Sequence, residues 1–98
     1  MKVIKLIDIL NKSDYPKAGS SVFTMIDDAI ISEEVIVLDM VDVISVPTMF
    51  MNTSFGATID KYGVKKLKDT IRFTNITKTQ AERIQKYFSD YENILKAQ

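Results

Sequence analysis

The chain has 98 residues, 46% of them hydrophobic, which is material for a single core and one small domain. Its 13 basic and 13 acidic side chains cancel, so it lacks the cationic excess that nucleic acid and anionic membrane demand. With no cysteine and no histidine, disulfides, thiol nucleophiles, the usual zinc sites and imidazole bases are excluded together.

Residues 2–9 alternate loosely, with Val3, Ile4, Leu6, Ile7 and Ile9 apolar, and predict a first strand. Lys2, Lys5 and Asp8 interrupt that run, so it does not read as a signal peptide. No stretch approaches the ~20 apolar residues that span a bilayer, and the expectation is a soluble cytoplasmic protein. Residues 11–20, NKSDYPKAGS, are dense in turn formers and predict a loop. Ser20 or Ser21 then caps a helix in which Val22, Phe23, Ile26, Ala29 and Ile30 recur at helical spacing, with Asp27 and Asp28 turned outward.

Val35, Ile36, Val37 and Leu38 form a continuous β-branched and aliphatic run, suited to a strand covered on both faces of a largely parallel sheet. Asp39 and Asp42 break it. Pro47 has its φ preset for a first helical turn, which predicts a helix from there to Tyr62, with Gly63 just past its end. Leu67, Ile71 and Phe73 suggest another strand, less apolar and so nearer a sheet edge. Thr77 and Gln80 form a Thr-x-x-Gln capping box, with Ile76 placed to staple onto Ala81. Ala81, Ile84, Phe88, Tyr91 and Leu95 come next on one stripe, and Glu82 with Lys86 adds an i,i+4 pair. Tyr87 and Ile94 broaden that face, which suits either a wide core contact or contact with a partner or second protomer, so a homodimer is compatible with it.

Strand, helix, strand, helix, strand, helix implies an α/β layer fold in one domain over residues 1–98, with a mostly parallel or mixed sheet of about four strands and about three helices. Charge is unevenly spread along it. Residues 1–60 carry four lysines against nine carboxylates, a net of −5, and residues 61–98 carry nine cations against four carboxylates, a net of +5. Lys65, Lys66, Lys68 and Arg72 read more readily as solvated lysines and arginine at a sheet edge than as a binding patch.

At about 100° per residue, Met51, Phe55, Thr58, Ile59 and Tyr62 share the face of the central helix that meets the sheet. Met49, Thr53, Gly56, Ala57 and Asp60 lie opposite. They are short or soft where a solvated face normally carries long charged side chains, which points to close approach by a partner or by another part of the chain. Gly56 in mid-helix costs ~1 kcal/mol relative to Ala and calls for a physical reason.

Asp39 and Asp42 sit at a strand's carboxyl end, where α/β folds place ligands, yet no third oxygen ligand is evident and turn formation explains both more simply. Glycines at 19, 56 and 63 fit neither a dinucleotide nor a P-loop fingerprint, and Ser20 and Ser21 have no activating base. The reading is of a protein that is not an enzyme, with no catalytic residues, cofactor or metal.

A strand ending in Asp39, the turn Ser45-Val46-Pro47-Thr48, the triplet Phe50-Met51-Asn52, Gly56 and a long final helix together resemble the STAS-like domain family of bacterial proteins. That family is similar to the anti-sigma factor antagonists. The resemblance implies a regulator that binds an ATPase-type serine kinase and is switched by phosphorylation at the start of this helix. In the antagonist motif Asp-Ser-Ser-Gly, the aligned positions here are Pro47, Thr48, Met49 and Phe50, so Met49 stands at the phosphorylated serine. The switch carries over only if Thr48 or Thr53 takes the phosphate. The residues then allow two function classes: a protein-binding module acting through Met49, Thr53, Gly56, Ala57 and Asp60, of which a stand-alone inhibitor is a variant, and a small-ligand or nucleotide sensor using the crevice near Asp39, Ser45 and Thr48.

Overall fold

The computed structural model describes residues 1–96. Strand β1 (Lys2–Lys5) runs directly into a short helix α1 (Leu6–Leu10), followed by α2 (Tyr15–Ile31) and β2 (Ile36–Asp39). The central helix α3 covers residues 48–62, and after the Gly63 break come α4 (Val64–Thr70), β3 (Ile71–Thr74) and α5 (Lys78–Lys96). Among the described residues the sheet has three strands where about four were expected, all parallel, in the order β1-β2-β3.

Sheet register explains which residues are inside. Ile4, Leu38 and Phe73 form one cross-strand row, and Ile36 pairs with Ile71 in the next row on the same side. These side chains meet the helices, where Phe55 packs edge-to-face on Phe50, Phe73 and Phe88 at centroid distances of 6.0, 6.1 and 5.5 Å. Each such pair adds about 0.5–1.5 kcal/mol beyond burial of its area. On the other side lie Val3, Val37 and Arg72, and Val3 is 63% exposed. The expected cover on both faces is therefore absent: the apolar run of β2 is explained by neighbouring strands flanking Val37, not by a second helical layer.

Three element boundaries differ from expectation, each for a local reason. The predicted strand over residues 2–9 stops at Lys5, because Leu6 turns into the core at the start of α1. The predicted loop over residues 11–20 is half helix: Asp14, not Ser20 or Ser21, is the cap, its Oδ1 accepting from the Lys17 N–H at 2.9 Å with Pro16 in the first turn. Residues 64–70 are helical, which takes in residues 67–70 of the strand expected over 67–73, with Val64, Leu67 and Thr70 buried at a spacing of three. β3 is an edge strand as expected.

The capping box at α5 is reciprocal: Thr77 N–H donates to Gln80 Oε1 and Gln80 N–H donates to Thr77 Oγ1, both at 3.1 Å. Gln80 Nε2 also donates to the Val43 carbonyl at 2.5 Å, so this polar residue is buried where Ala81 was expected. Ile84 and Phe88 are buried as the stripe requires. The helix pairs Lys78 with Glu82 and Lys86 with Asp90, in place of Glu82 with Lys86. The side chain of Leu95 lies outside the described residues.

Candidate functional site

Helix α3 starts after Pro47, which is its cap with φ −65° and ψ 144°, and ends at Tyr62, with Gly63 at φ 91°. Its middle is a π-turn over Asn52–Gly56, in which the Ala57 N–H donates to the Asn52 carbonyl five residues back. Hydroxyls supply the cause. Ser54 Oγ donates to Phe50 O at 2.7 Å, Thr58 Oγ1 to Ser54 O at 2.9 Å and Thr53 Oγ1 to Met49 O at 3.2 Å, satisfying carbonyls that a widened turn releases.

The inward face is as the spacing predicts, with Met51, Phe55, Thr58 and Ile59 buried and Tyr62 half-buried. The outward face is not a continuous open stripe. Met49 is 58% exposed and Asp60 is exposed, while Thr53 and Ala57 are half-buried and Gly56 is buried. The π-turn inserts a residue and rotates the helix beyond it, turning Gly56 toward α5. There Tyr87 and Tyr91 close over it: a Cβ on Gly56 would lie 2.8 Å from Tyr87 Oη and 3.2 Å from the Tyr91 ring. Tyr87 Oη donates to Asn52 Oδ1 at 2.7 Å and Tyr91 Oη donates to Asp60 Oδ2 at 2.9 Å, so the two rings strap α5 to α3. The glycine that asked for close approach is thus met by this chain's own tyrosines. On its other side α3 meets α2, where Asp27 accepts from Lys61 Nζ at 2.9 Å and from Tyr62 Oη at 2.5 Å. The Tyr62 hydroxyl, then the Lys61 ammonium, hold the Asp27 carboxyl below its ordinary range. Asp27 therefore belongs to a helix contact, whereas Asp28 is turned outward as expected.

Around the amino end of α3 the surface is open. Asp42 adopts φ 64° in the segment between β2 and α3, and two residues on Ile44 is 95% exposed. Ile44, Ser45 and Pro47 border a shallow cleft of about 170 Å³ shared with Tyr15 and Leu10. Thr48 is exposed, and its Oγ1 accepts from Arg83 Nη2 at 3.2 Å, while Arg83 also donates to the Val46 carbonyl. Asp39 does not face this cleft as a ligand group. Its Oδ1 accepts from Asn75 Nδ2 at 2.9 Å and the Val41 N–H at 3.0 Å, tying the exits of β2 and β3 together. These bonds, the Asn75 amide first, lower the carboxyl's pKa. Of the two threonines considered for phosphorylation, Thr48 is an exposed residue whose hydroxyl meets Arg83, whereas Thr53 donates its hydroxyl inside the helix and lies against Gly19 of α2.

Residues 18–81 match a family described as a STAS-like domain of unknown function. The chain belongs to that family. The match includes Asp39, the Ser45-to-Thr48 turn, Phe50, Asn52 and Gly56, and the α/β architecture agrees with it. No curated protein and no solved structure matches the chain. No helix among the described residues is long and apolar enough to cross a membrane.

Two features of this STAS-like domain escaped sequence reading, and each had a signal. Asp14 followed by Pro16 is a helix start, masked by the turn-forming residues around it. Tyr87 and Tyr91, one turn apart on α5, mark a surface that needs a small partner, which Gly56 provides.

Proposed function

We propose that this STAS-like domain is a non-catalytic regulatory module that docks on a protein partner, an ATPase-type kinase resembling histidine kinases, through the amino end and outer ridge of α3. What supports the reading is the exposure of two large apolar side chains near the start of α3, Ile44 almost fully and Met49 to 58%, the latter at the position where the related antagonists carry their switch residue. Large apolar side chains held out at a helix start suit a hydrophobic contact better than solvation. Of the other residues of the proposed face, Asp60 is exposed and Ala57 half-buried, whereas Thr53 packs against Gly19 of α2 and Gly56 seats the tyrosines, so these two support the ridge from beneath. Thr48 is the residue through which a phosphate would act, since Arg83 already points a cation at its hydroxyl.

The sensor reading ranks below this. Open α/β sheets bind ligands at a reversal of strand order, and the order β1-β2-β3 has none. The cleft near Ser45 is also smaller than the several hundred Å³ usual for ligand pockets. A photo-crosslinking residue placed at Met49, compared with one at the exposed Ser89, tests the proposal in cells. An adduct with an ATPase-type protein at Met49 alone is expected. Adducts at both positions, or at neither, reject the ridge as the docking surface.

A further inference from the structure

A second surface, independent of the α3 ridge, lies along the free edge of β3. Thr74 C=O accepts from the Met40 N–H at 2.9 Å, so Thr74 and Arg72 turn their backbone groups toward β2. By the alternation of a strand, Ile71 and Phe73 turn theirs outward. Ile71 is already satisfied, its N–H donating to the Leu67 carbonyl and its carbonyl accepting from the Arg72 guanidinium at 2.8 Å, whereas Phe73 has no such backbone partner among the described residues. Beside this edge, where Phe88 of α5 rests on Phe55, two adjoining hollows of about 380 and 200 Å³ share Phe73, Gln85 and Phe88. Ile84 lines the second hollow. At the Ile71 end stand Lys68 and Arg72, which have no carboxylate partner among the described residues.

An unpartnered backbone pair at Phe73, an apolar groove beside it and a cationic end suit strand addition: main-chain bonds give affinity and the groove gives specificity. The other edge offers no equal. β1 turns out the backbone groups of Val3 and Lys5, and its flanking lysines deter pairing. A second copy would bring the same two cations to the groove and fits worse than an acidic chain. We propose that the β3 edge takes an extended acidic segment of a partner protein as a fourth strand, with apolar side chains entering the groove and a carboxylate meeting Lys68 and Arg72.

The test is an anisotropy titration with a short fluorescein-labelled peptide of alternating valine and glutamate, paired with amide hydrogen exchange. Saturable binding that protects the Phe73 N–H is expected, with about tenfold loss on Lys68→Glu and a matching gain by that variant for a valine–lysine peptide. Gln85→Trp, at an exposed position, should fill the groove and abolish binding without lowering the melting temperature, while Met49 variants bind the peptide normally. No saturable binding, binding without Phe73 protection, or binding indifferent to Gln85→Trp overturns the proposal. So does self-association that protects Phe73 without peptide, which would make a second copy the occupant.

Discussion

Gly19 of α2 and Thr53 of α3 meet so closely that a Cβ on Gly19 would fall 1.8 Å from Thr53 Oγ1, and 2.6 Å from the Phe50 carbonyl oxygen. The hydroxyl can rotate but the carbonyl cannot. Gly19→Ala should therefore push the two helices apart and cost roughly 1–3 kcal/mol, outweighing the ~1 kcal/mol gain in helix propensity. Adding Thr53→Ala should recover only part of the loss. Urea melts of the single and double variants decide it, and a stabilised Gly19→Ala would show that the helices are not in backbone contact.

Gly56 differs in its surroundings, because the nearest atom is the far end of a tyrosine. For Gly56→Ala a small swing of Tyr87 offsets the helical gain of ~1 kcal/mol, and the melting temperature should change little. Gly56→Leu cannot be absorbed this way. It should lift α5 from α3 and destabilise by roughly 1–3 kcal/mol, recovered in part by Tyr87→Ala. A well-folded Gly56→Leu protein with unaltered stability would restore the open-stripe reading.

How far the sequence announced this arrangement depended on whether a signal was local. The apolar run of β2, the Pro47 and Gly63 limits of α3 and the Thr77–Gln80 box are local chemistry, and each stands where the residues put it. The inward face of α3 was legible because Met51, Phe55 and Ile59 keep helical spacing on both sides of the π-turn. The outward face was not, since the π-turn depends on hydroxyl-to-carbonyl bonds of Thr53, Ser54 and Thr58, and its covering tyrosines lie about thirty residues away. Periodicity carries no account of either.

Asn75 occupies a left-handed backbone conformation, φ 53°, and its side chain reaches Asp39. Asn75→Ala loses the bond and adds backbone strain, for an expected cost of about 1–3 kcal/mol. Asn75→Gly loses the bond but tolerates the conformation, and should cost less. Denaturant midpoints in the order native, Gly, Ala are expected; equal values for the two variants would mean that the backbone there is unstrained.

Alkaline stability should report the tyrosine strap. Burial first, then the charges of Tyr91 and Asp60, pushes the Tyr87 hydroxyl up from 10.0 to about 12. The folded state holds that proton more tightly than the unfolded chain does. Its contribution is therefore complete below about pH 10 and is lost as pH rises toward about 12. Tyr91 is shifted in the same direction, also chiefly by burial. Tyr87→Phe should cost about 0.5–1.5 kcal/mol near neutrality through the lost bond to Asn52, yet lose less stability between those two pH values. Parallel pH–stability curves for the two proteins would remove Tyr87 as their source.

Met49→Asp separates folding from docking. In the first turn of α3 a carboxylate meets the positive end of the helix macrodipole, a favourable interaction of about 0.3–1 kcal/mol, and the exposed position costs it no desolvation. The melting temperature should hold or rise slightly. Against an apolar partner surface the same charge is stripped of water without compensation, and binding should weaken by several kcal/mol. Thermal melting by circular dichroism and a titration with the partner, both on this variant, are read together. A large fall in melting temperature would place Met49 in the core, against its exposure. Unchanged melting with unchanged binding would move the interface away from the amino end of α3, and the exposed Ile94 on α5 would be the next position to change.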